Sequence, residues 1–313
     1  MQISKIKILN IWNILFINFN SFYFLTIKMF KKLKINYMIF KKILVIFLYL
    51  YIFTIFFKVL FIKKEYFKFD KNFDYINYDK NIITEKMKKY AGWMLLNEKE
   101  IFFINGIIRK YKPKKLLEIG VARGGSSILI LNAIKDIKNS FLISLDLNKQ
   151  FYIKRQYKTG YKVKKFFPEL TKNWRLFTGE QPHIFLERLN ITFEFVFLDT
   201  AHISPGEFLN LIEILPFLEE NAIILLHDIT FHLFRKDKSK KFTATQIFLM
   251  SALYGDKLII KNKNGIENVG AVYLYKNQKE YYLNYFLLLL SYWEYLPSEK
   301  HIDEIRTFIK KIL

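Results

Sequence analysis

The chain has no cysteine, so disulfides, thiolate metal sites and cysteine nucleophiles are excluded. Proline and glycine are scarce, 6 and 11 in 313 residues, so a local cluster of glycines stands out. Acids are outnumbered, 28 Asp and Glu against 50 Lys and Arg, for a net charge of +22. A basic balance admits nucleic acid, a membrane surface or an acidic ligand as partner. The lysines form no compact groove-like cluster, however, and they accompany an abundance of Ile, Asn, Phe and Tyr, as an AT-rich genome produces. No nucleic-acid partner is expected. What is plentiful is apolar: 52% of residues are hydrophobic and 18% aromatic, enough for a sizeable core.

Residues 1–65 stand apart, with eleven Lys against a single Glu. Within them 43–62 (ILVIFLYLYIFTIFFKVLFI) carries one charge, Lys58, and is long enough to span a bilayer as a helix. Lysines flank it on both sides, so charge gives no orientation, and no small-residue cleavage site follows it. The expectation is an N-terminal hydrophobic helix that associates with a membrane. A surface-lying helix and an untranslated segment, with Met29 or Met38 as the start, are the alternatives. Residues 66–84, polar and aromatic without a period, read as a linker.

From Glu85 apolar residues recur at spacings of three and four up to Pro113, with Asn97 and Glu100 placed as a capping box. Strand and helix signals then alternate: strands at 116–119, 141–145, 175–177, 193–198 and 222–226, and helices at 126–135, 183–188, 205–218 and 243–253. Strands at 258–261 and 269–275 follow with no helix between them. This pattern predicts an α/β fold, a Rossmann-like doubly wound sheet of seven strands, mostly parallel, with an antiparallel edge hairpin. The folded domain is placed at 85–276 and a helical tail at 277–313.

Chemistry concentrates where these strands end. KLLEIGVARGGSS, Lys115–Ser127, reads as a buried strand closing on Glu118, a glycine turn and a helix N-terminus. Gly120 lets the chain turn, and Gly124 and Gly125 let a ligand approach. Asp146 ends the next strand, where an acid accepts hydrogen bonds from ribose hydroxyls. Asp199 and His202 follow FEFVFL, and His227 and Asp228 follow AIILL. Asp199, His227 and Asp228 offer oxygen and imidazole ligands to a divalent cation. His202 is a candidate general base, because an imidazole ordinarily titrates near neutral pH.

Residues 85–275 resemble a class I S-adenosylmethionine-dependent methyltransferase, of the bacterial group with an EIG…GGS first motif that includes sugar and macrolide O-methyltransferases. FVFLDTAHISPGEFLNLIEILPFLEENAIILLHDI is similar to that group's fourth and fifth strands, and YWEYLPSEKHIDEI to its tail. The resemblance implies S-adenosylmethionine as cofactor. Glu118 and Gly120 would line its methionine end, with Gly124, Gly125 and Ser126 in the same loop. Asp146 would hold its ribose, and Thr178 and Gly179 would border the adenine. His202 and Asp199 would be catalytic, and Asp199, Asp228 and His227 would stand at the metal positions, with Mg2+ the candidate ion. His227 departs from the Asp or Glu usual there. The implied partner is a small-molecule or glycan acceptor, met by Trp93, the loop 229–242 and the tail around Trp293–Pro297. The catalytic domain is expected in the cytoplasm, attached through 43–62 to the inner face of the membrane. Two rivals are an NAD-type oxidoreductase, on the Gly120, Ala122, Gly125 spacing with Asp146, and a non-catalytic membrane-associated interaction module.

Overall fold

Seven strands form one sheet in the order β3-β2-β1-β4-β5-β7-β6. They are β1 (Lys115–Ile119), β2 (Phe141–Asp146), β3 (Trp174–Thr178), β4 (Phe193–Leu198), β5 (Leu218–His227), β6 (Gly255–Asn262) and β7 (Gly265–Leu274). This computed structural model describes residues 68–92, 96–200, 202–230, 245–262, 265–290 and 293–312. The expected N-terminal helix and membrane segment 43–62, Trp93 and most of the loop 229–242 lie outside the described residues. Among the described residues no helix is long and apolar enough to cross a membrane.

β1 to β5 pair in parallel, and the chain reverses strand order at β1, which lies between β2 and β4. The cores of β1 (LLEI) and β4 (FVFL) are buried, as strands covered on both faces must be. The expected edge hairpin is present, but its order is inverted. β7 inserts between β5 and β6 and is antiparallel to both, so β6 is the edge strand.

The connecting helices are α1 (Glu85–Gly92), α2 (Glu98–Tyr111), α3 (Gly125–Ile134), α4 (Tyr161–Phe166), α5 (Pro182–Leu189), α6 (Gly206–Ile214) and α7 (Thr245–Ala252). The Asn97–Glu100 capping box is formed in both directions, at 3.0 and 2.8 Å. Beyond β7 the tail holds a short helix, α8 (Tyr282–Phe286), and α9 (Glu299–Ile312), with Pro297 in the break between them. α9 packs Ile305, Phe308 and Ile309 inward.

Residues 66–84 are no linker where they are described. Phe69, Tyr75 and Ile83 are buried in the same core as α2 and α3. The Phe69 N–H donates to Asp256 at 2.9 Å, and the Tyr75 and Tyr111 hydroxyls meet at 2.9 Å. Irregularly spaced aromatics fill space without forming a periodic element, which is why the pattern looked unstructured. The closest approach is at Gly106, where a Cβ would lie 1.7 Å from the Tyr75 carbonyl oxygen. Gly106→Ala is expected to destabilise the domain by about 3 kcal/mol, a fall of roughly 6–12 °C in melting temperature. An unchanged melt would mean that this segment does not pack on α2.

Candidate active site

Gly120 leaves β1 with φ 89°, and a Cβ there would lie 1.8 Å from the Asp199 carbonyl oxygen. Its smallness lets the ends of β1 and β4 close on each other, with the Asp199 N–H donating to the Ile119 carbonyl at 3.0 Å. The loop's own N–H groups are mostly used internally. Val121 and Ala122 donate to Asp146 Oδ2 at 2.9 and 3.0 Å, and Gly124 donates to Val121 O at 2.7 Å. Asp146 also takes the Asn148 N–H at 2.8 Å. Its first role is therefore to tie the glycine loop to the end of β2. It is half-buried beside the glycine loop.

Glu118 and Ser126 are buried instead. The Glu118 carboxylate is fully buried and accepts from the Ser126, Ser127 and Ser144 hydroxyls at 2.6, 2.6 and 2.5 Å. Trp174 Nε1 donates to Ser144 Oγ at 2.8 Å, extending the network to β3. Three serines thus satisfy the carboxylate that was expected to line the methionine end of the cofactor. The reason is local: Ser126 and Ser127 open α3 directly above the strand, and Ser144 is the register partner of Glu118. Burial pushes the Glu118 pKa up to about 7, against the pull of the three hydroxyls, and Asp199 adds to the rise.

A carboxyl whose pKa is raised on folding stabilises the domain while protonated. That contribution is lost as pH climbs from the unfolded value through the folded one, at most about 3 kcal/mol between roughly pH 4.5 and 7. Glu118→Gln is expected to remove this part of the pH dependence, so that urea midpoints at about pH 5 and pH 8 differ less than in the wild type. An unchanged difference would show that Glu118 does not titrate there. Glu118→Ala leaves three buried hydroxyls without an acceptor and is expected to cost more than the Gln change at every pH.

The ends of β4 and β5 bring the two Asp/His pairs together. His202 Nε2 lies 2.9 Å from Asp228 Oδ2 and 3.4 Å from Asp199 Oδ1. His227 Nδ1 lies 3.3 Å from Asp199 Oδ2. Burial alone would push both imidazoles down. The hydrogen bonds of His202 to Asp228 and Glu207, with the Asp199 charge, overcome this and raise it to about 10. His227 is raised to about 9, against its burial, chiefly by Asp199. Asp228 is pushed up by burial but held below the usual carboxylate range by His202 and His227. Both His202 (φ 55°) and Asp228 (φ 60°) sit in the left-handed region, a strain of about 1–3 kcal/mol each that surrounding contacts must hold. Asp199, His202 and Asp228 each offer a ligand atom, all within 4.8 Å of one another. The geometry therefore groups His202 with the two aspartates, where the sequence suggested His227.

The family described as a methyltransferase domain matches residues 117–229, from β1 through the end of β5. Over that stretch, about a third of its length, the chain is similar to this methyltransferase family. Three solved structures are similar to it at low identity. The O-methyltransferase TomG from Streptomyces achromogenes, involved in tomaymycin synthesis and solved with SAM, is 13% identical over 71% of this chain and 95% of its own, at TM-score 0.46. An O-methyltransferase from Bacillus cereus with SAH is 14% identical, covering 63% and 93%, at 0.46. SAH-bound PaMTH1 from Podospora anserina is 17% identical, covering 62% and 89%, at 0.44. The search of curated proteins returned no match.

Thr178 closes β3 beside Asp146, its register partner, and the Gly179 N–H donates to Asp146 O at 3.0 Å. Gly124 caps α3 with φ 90°, and Gly125 is the helix's first residue. The reading from sequence missed Glu207 and Asn268. Glu207 is fully buried in the first turn of α6. Its Oε1 accepts the His202 N–H and lies 3.4 Å from His202 Nδ1. An acid in a first helical turn reads as a dipole partner, so only its place five residues after His202 hinted at more. Asn268, on β7, donates to Asp228 and accepts from both the N–H and the hydroxyl of Thr230 at 2.8 Å. No local signal marks it. Of the acceptor-side residues expected in the tail, Glu294 binds the loop carrying His202, its carboxylate taking the Ser204 N–H at 3.0 Å.

Proposed function

We propose that the domain transfers a methyl group from S-adenosylmethionine to an oxygen of a small hydroxylated acceptor, a sugar or related compound, with His202 as the proton acceptor. The observation that carries this reading is His202, fixed between Asp228 and Glu207 with Asp199 beside it, at the strand ends that adjoin the glycine loop. Two features favour the donor. Asp146 stands half-buried beside the glycine loop, and Leu147 directly after it is a large apolar side chain left 57% exposed, which suits the face of an adenine ring.

When bound, the donor supplies an electrophilic carbon on sulfur. The protein's work is to align the acceptor oxygen with it and to take the hydroxyl proton as the carbon–oxygen bond forms and the carbon–sulfur bond breaks. Alignment of this kind contributes several kcal/mol. Asp199, His202 and Asp228 fit a divalent cation in number and donor type. Two carboxylates and an imidazole suit Mn2+ or Zn2+ better than Mg2+. A divalent cation held there would neutralise the two aspartates and lower the pKa of an acceptor hydroxyl. Without that neutralisation His202, raised to about 10, is an imidazolium at neutral pH and has no free site for a proton. A cation held by Asp199 and Asp228 alone would compensate their charge, let His202 fall toward its ordinary range and leave its Nε2 free to act as the base; with His202 as a third ligand, the cation itself would have to acidify the acceptor hydroxyl, with water taking the proton.

The test is calorimetry followed by product analysis. Micromolar binding of S-adenosylhomocysteine with none of NAD is expected, and so is the gain of one CH2 by a sugar or related hydroxyl compound in a metabolite comparison of wild-type and deletion strains. NAD binding without S-adenosylhomocysteine binding would overturn the reading in favour of an oxidoreductase. Unaltered metabolites would favour a non-catalytic module.

A further inference from the structure

We propose that the β3 edge of the sheet carries a second binding site, for a small ligand bearing two or more phosphate groups. The inference does not depend on the methyl-transfer reading. A cleft of about 510 Å³ opens beside the end of β3, within the size range of small-molecule sites. Four lysines line it, Lys149, Lys158, Lys164 and Lys165, together with Tyr157 and Tyr161, and no carboxylate does; Thr178, expected to border the adenine, lines it too, so the cleft adjoins the donor's expected site. None of the four ammonium groups has an ion-pair partner among the described residues. Lys88, Lys115, Lys300 and Lys311 elsewhere on the surface each meet an acid even in this acid-poor chain.

The frame that holds these charges is built. Residues 149–159 form a flap closed by an antiparallel bridge between Gln150 and Lys158, with Phe151 N–H donating to Tyr157 O at 2.9 Å and Thr159 N–H to Lys149 O at 3.2 Å. The Thr159 hydroxyl anchors the flap to Asn148 O at 2.5 Å. Lys149 and Lys158 therefore stand on opposite arms of one flap, and Lys164 and Lys165 on the last turn of α4. Tyr157 and Tyr161 stack at 4.5 Å and 16°, joining flap to helix. Four like charges held on fixed backbone repel one another, and a multivalent anion offsets that repulsion. Phosphate oxygens suit the ammonium group, a compact point charge with three donors. The cleft's limited volume favours a diphosphate-bearing metabolite over a polymer.

The experiment is calorimetry on the full chain with pyrophosphate and with ADP, with and without S-adenosylhomocysteine. Micromolar pyrophosphate binding is expected, weakening as salt is raised and not displaced by S-adenosylhomocysteine. Lys158→Glu with Lys164→Glu should weaken it about tenfold or more, leaving S-adenosylhomocysteine affinity and melting temperature unchanged. Lys158→Gln with Lys164→Gln should act in the same direction. Absence of saturable binding, binding unaltered in both double variants, or ADP binding displaced by S-adenosylhomocysteine would each overturn the proposal.

Discussion

Gly120→Ala is expected to leave little folded, active protein. The new Cβ would stand 1.8 Å from the Asp199 carbonyl oxygen and 2.7 Å from its carbon, both backbone atoms that no rotamer change can move. The position also has φ 89°, which an L side chain adopts only with strain. Relief requires the ends of β1 and β4 to separate, and these are joined by the Leu198 register pair and the Asp199 N–H bond to Ile119. We expect a loss of about 4 kcal/mol or more, a fall in melting temperature of roughly 8–16 °C. Weakened S-adenosylhomocysteine binding is expected even where the protein remains folded, because the glycine loop that leaves β1 at Gly120 must move. Gly265→Ala supplies the control. Its φ is 137° but a Cβ there would meet nothing within 4 Å, so it reports backbone strain alone. Equal melting temperatures for the two variants would show that the close approach at Gly120 is of no consequence.

Asp199→Asn is expected to cost the most activity of any isosteric change. Asp199 faces both imidazoles, 3.4 Å from His202 and 3.3 Å from His227, and is the nearer of the two aspartates to His227. On the proposed reading, removing its charge weakens the candidate cation site and the alignment of His202 together. kcat/KM should fall by about 10²–10⁴, with S-adenosylhomocysteine affinity nearly unchanged. The stability effect has a defined pH window in cation-free protein. Both histidines have raised folded pKa values, about 10 and about 9, so the stabilisation they give is full below about pH 6.5 and is lost as pH rises through the folded values. The variant should therefore lag the wild type most at low pH and converge with it near about pH 10. Wild-type turnover in the variant would remove Asp199 from the reaction.

Much of the frame was legible because strands and helices announce themselves by period. The alternation from Leu116 to Leu226 reproduced β1 to β5, and Asn97 with Glu100 marked the true start of α2. α4 was missed: at six residues it has too few turns to show a period. The segment 68–84 was misread because Phe69 and Tyr75 reach the core from irregular backbone. At the site, the strand-end acids and histidines were found because they directly follow apolar runs. Their partners were not, since Glu207 and Asn268 come from other elements.

The sequence alone determined that Glu118, Gly120, Asp146, Asp199, His202, His227 and Asp228 end or follow strands, for the hydrophobic runs before them admit no other reading. It also determined, through the absence of cysteine, that thiolate chemistry and thiolate metal ligands are excluded. Only the tertiary structure decided which way each side chain faces. Ser126, Ser127 and Ser144 turn Glu118 inward, and the adjacent ends of β4 and β5 group His202 with Asp199 and Asp228 as potential cation ligands. The β7 insertion beside β5 brings Asn268 to Asp228. These contacts join residues far apart in the chain, and their energy depends on burial and direction, which no local pattern of residues encodes.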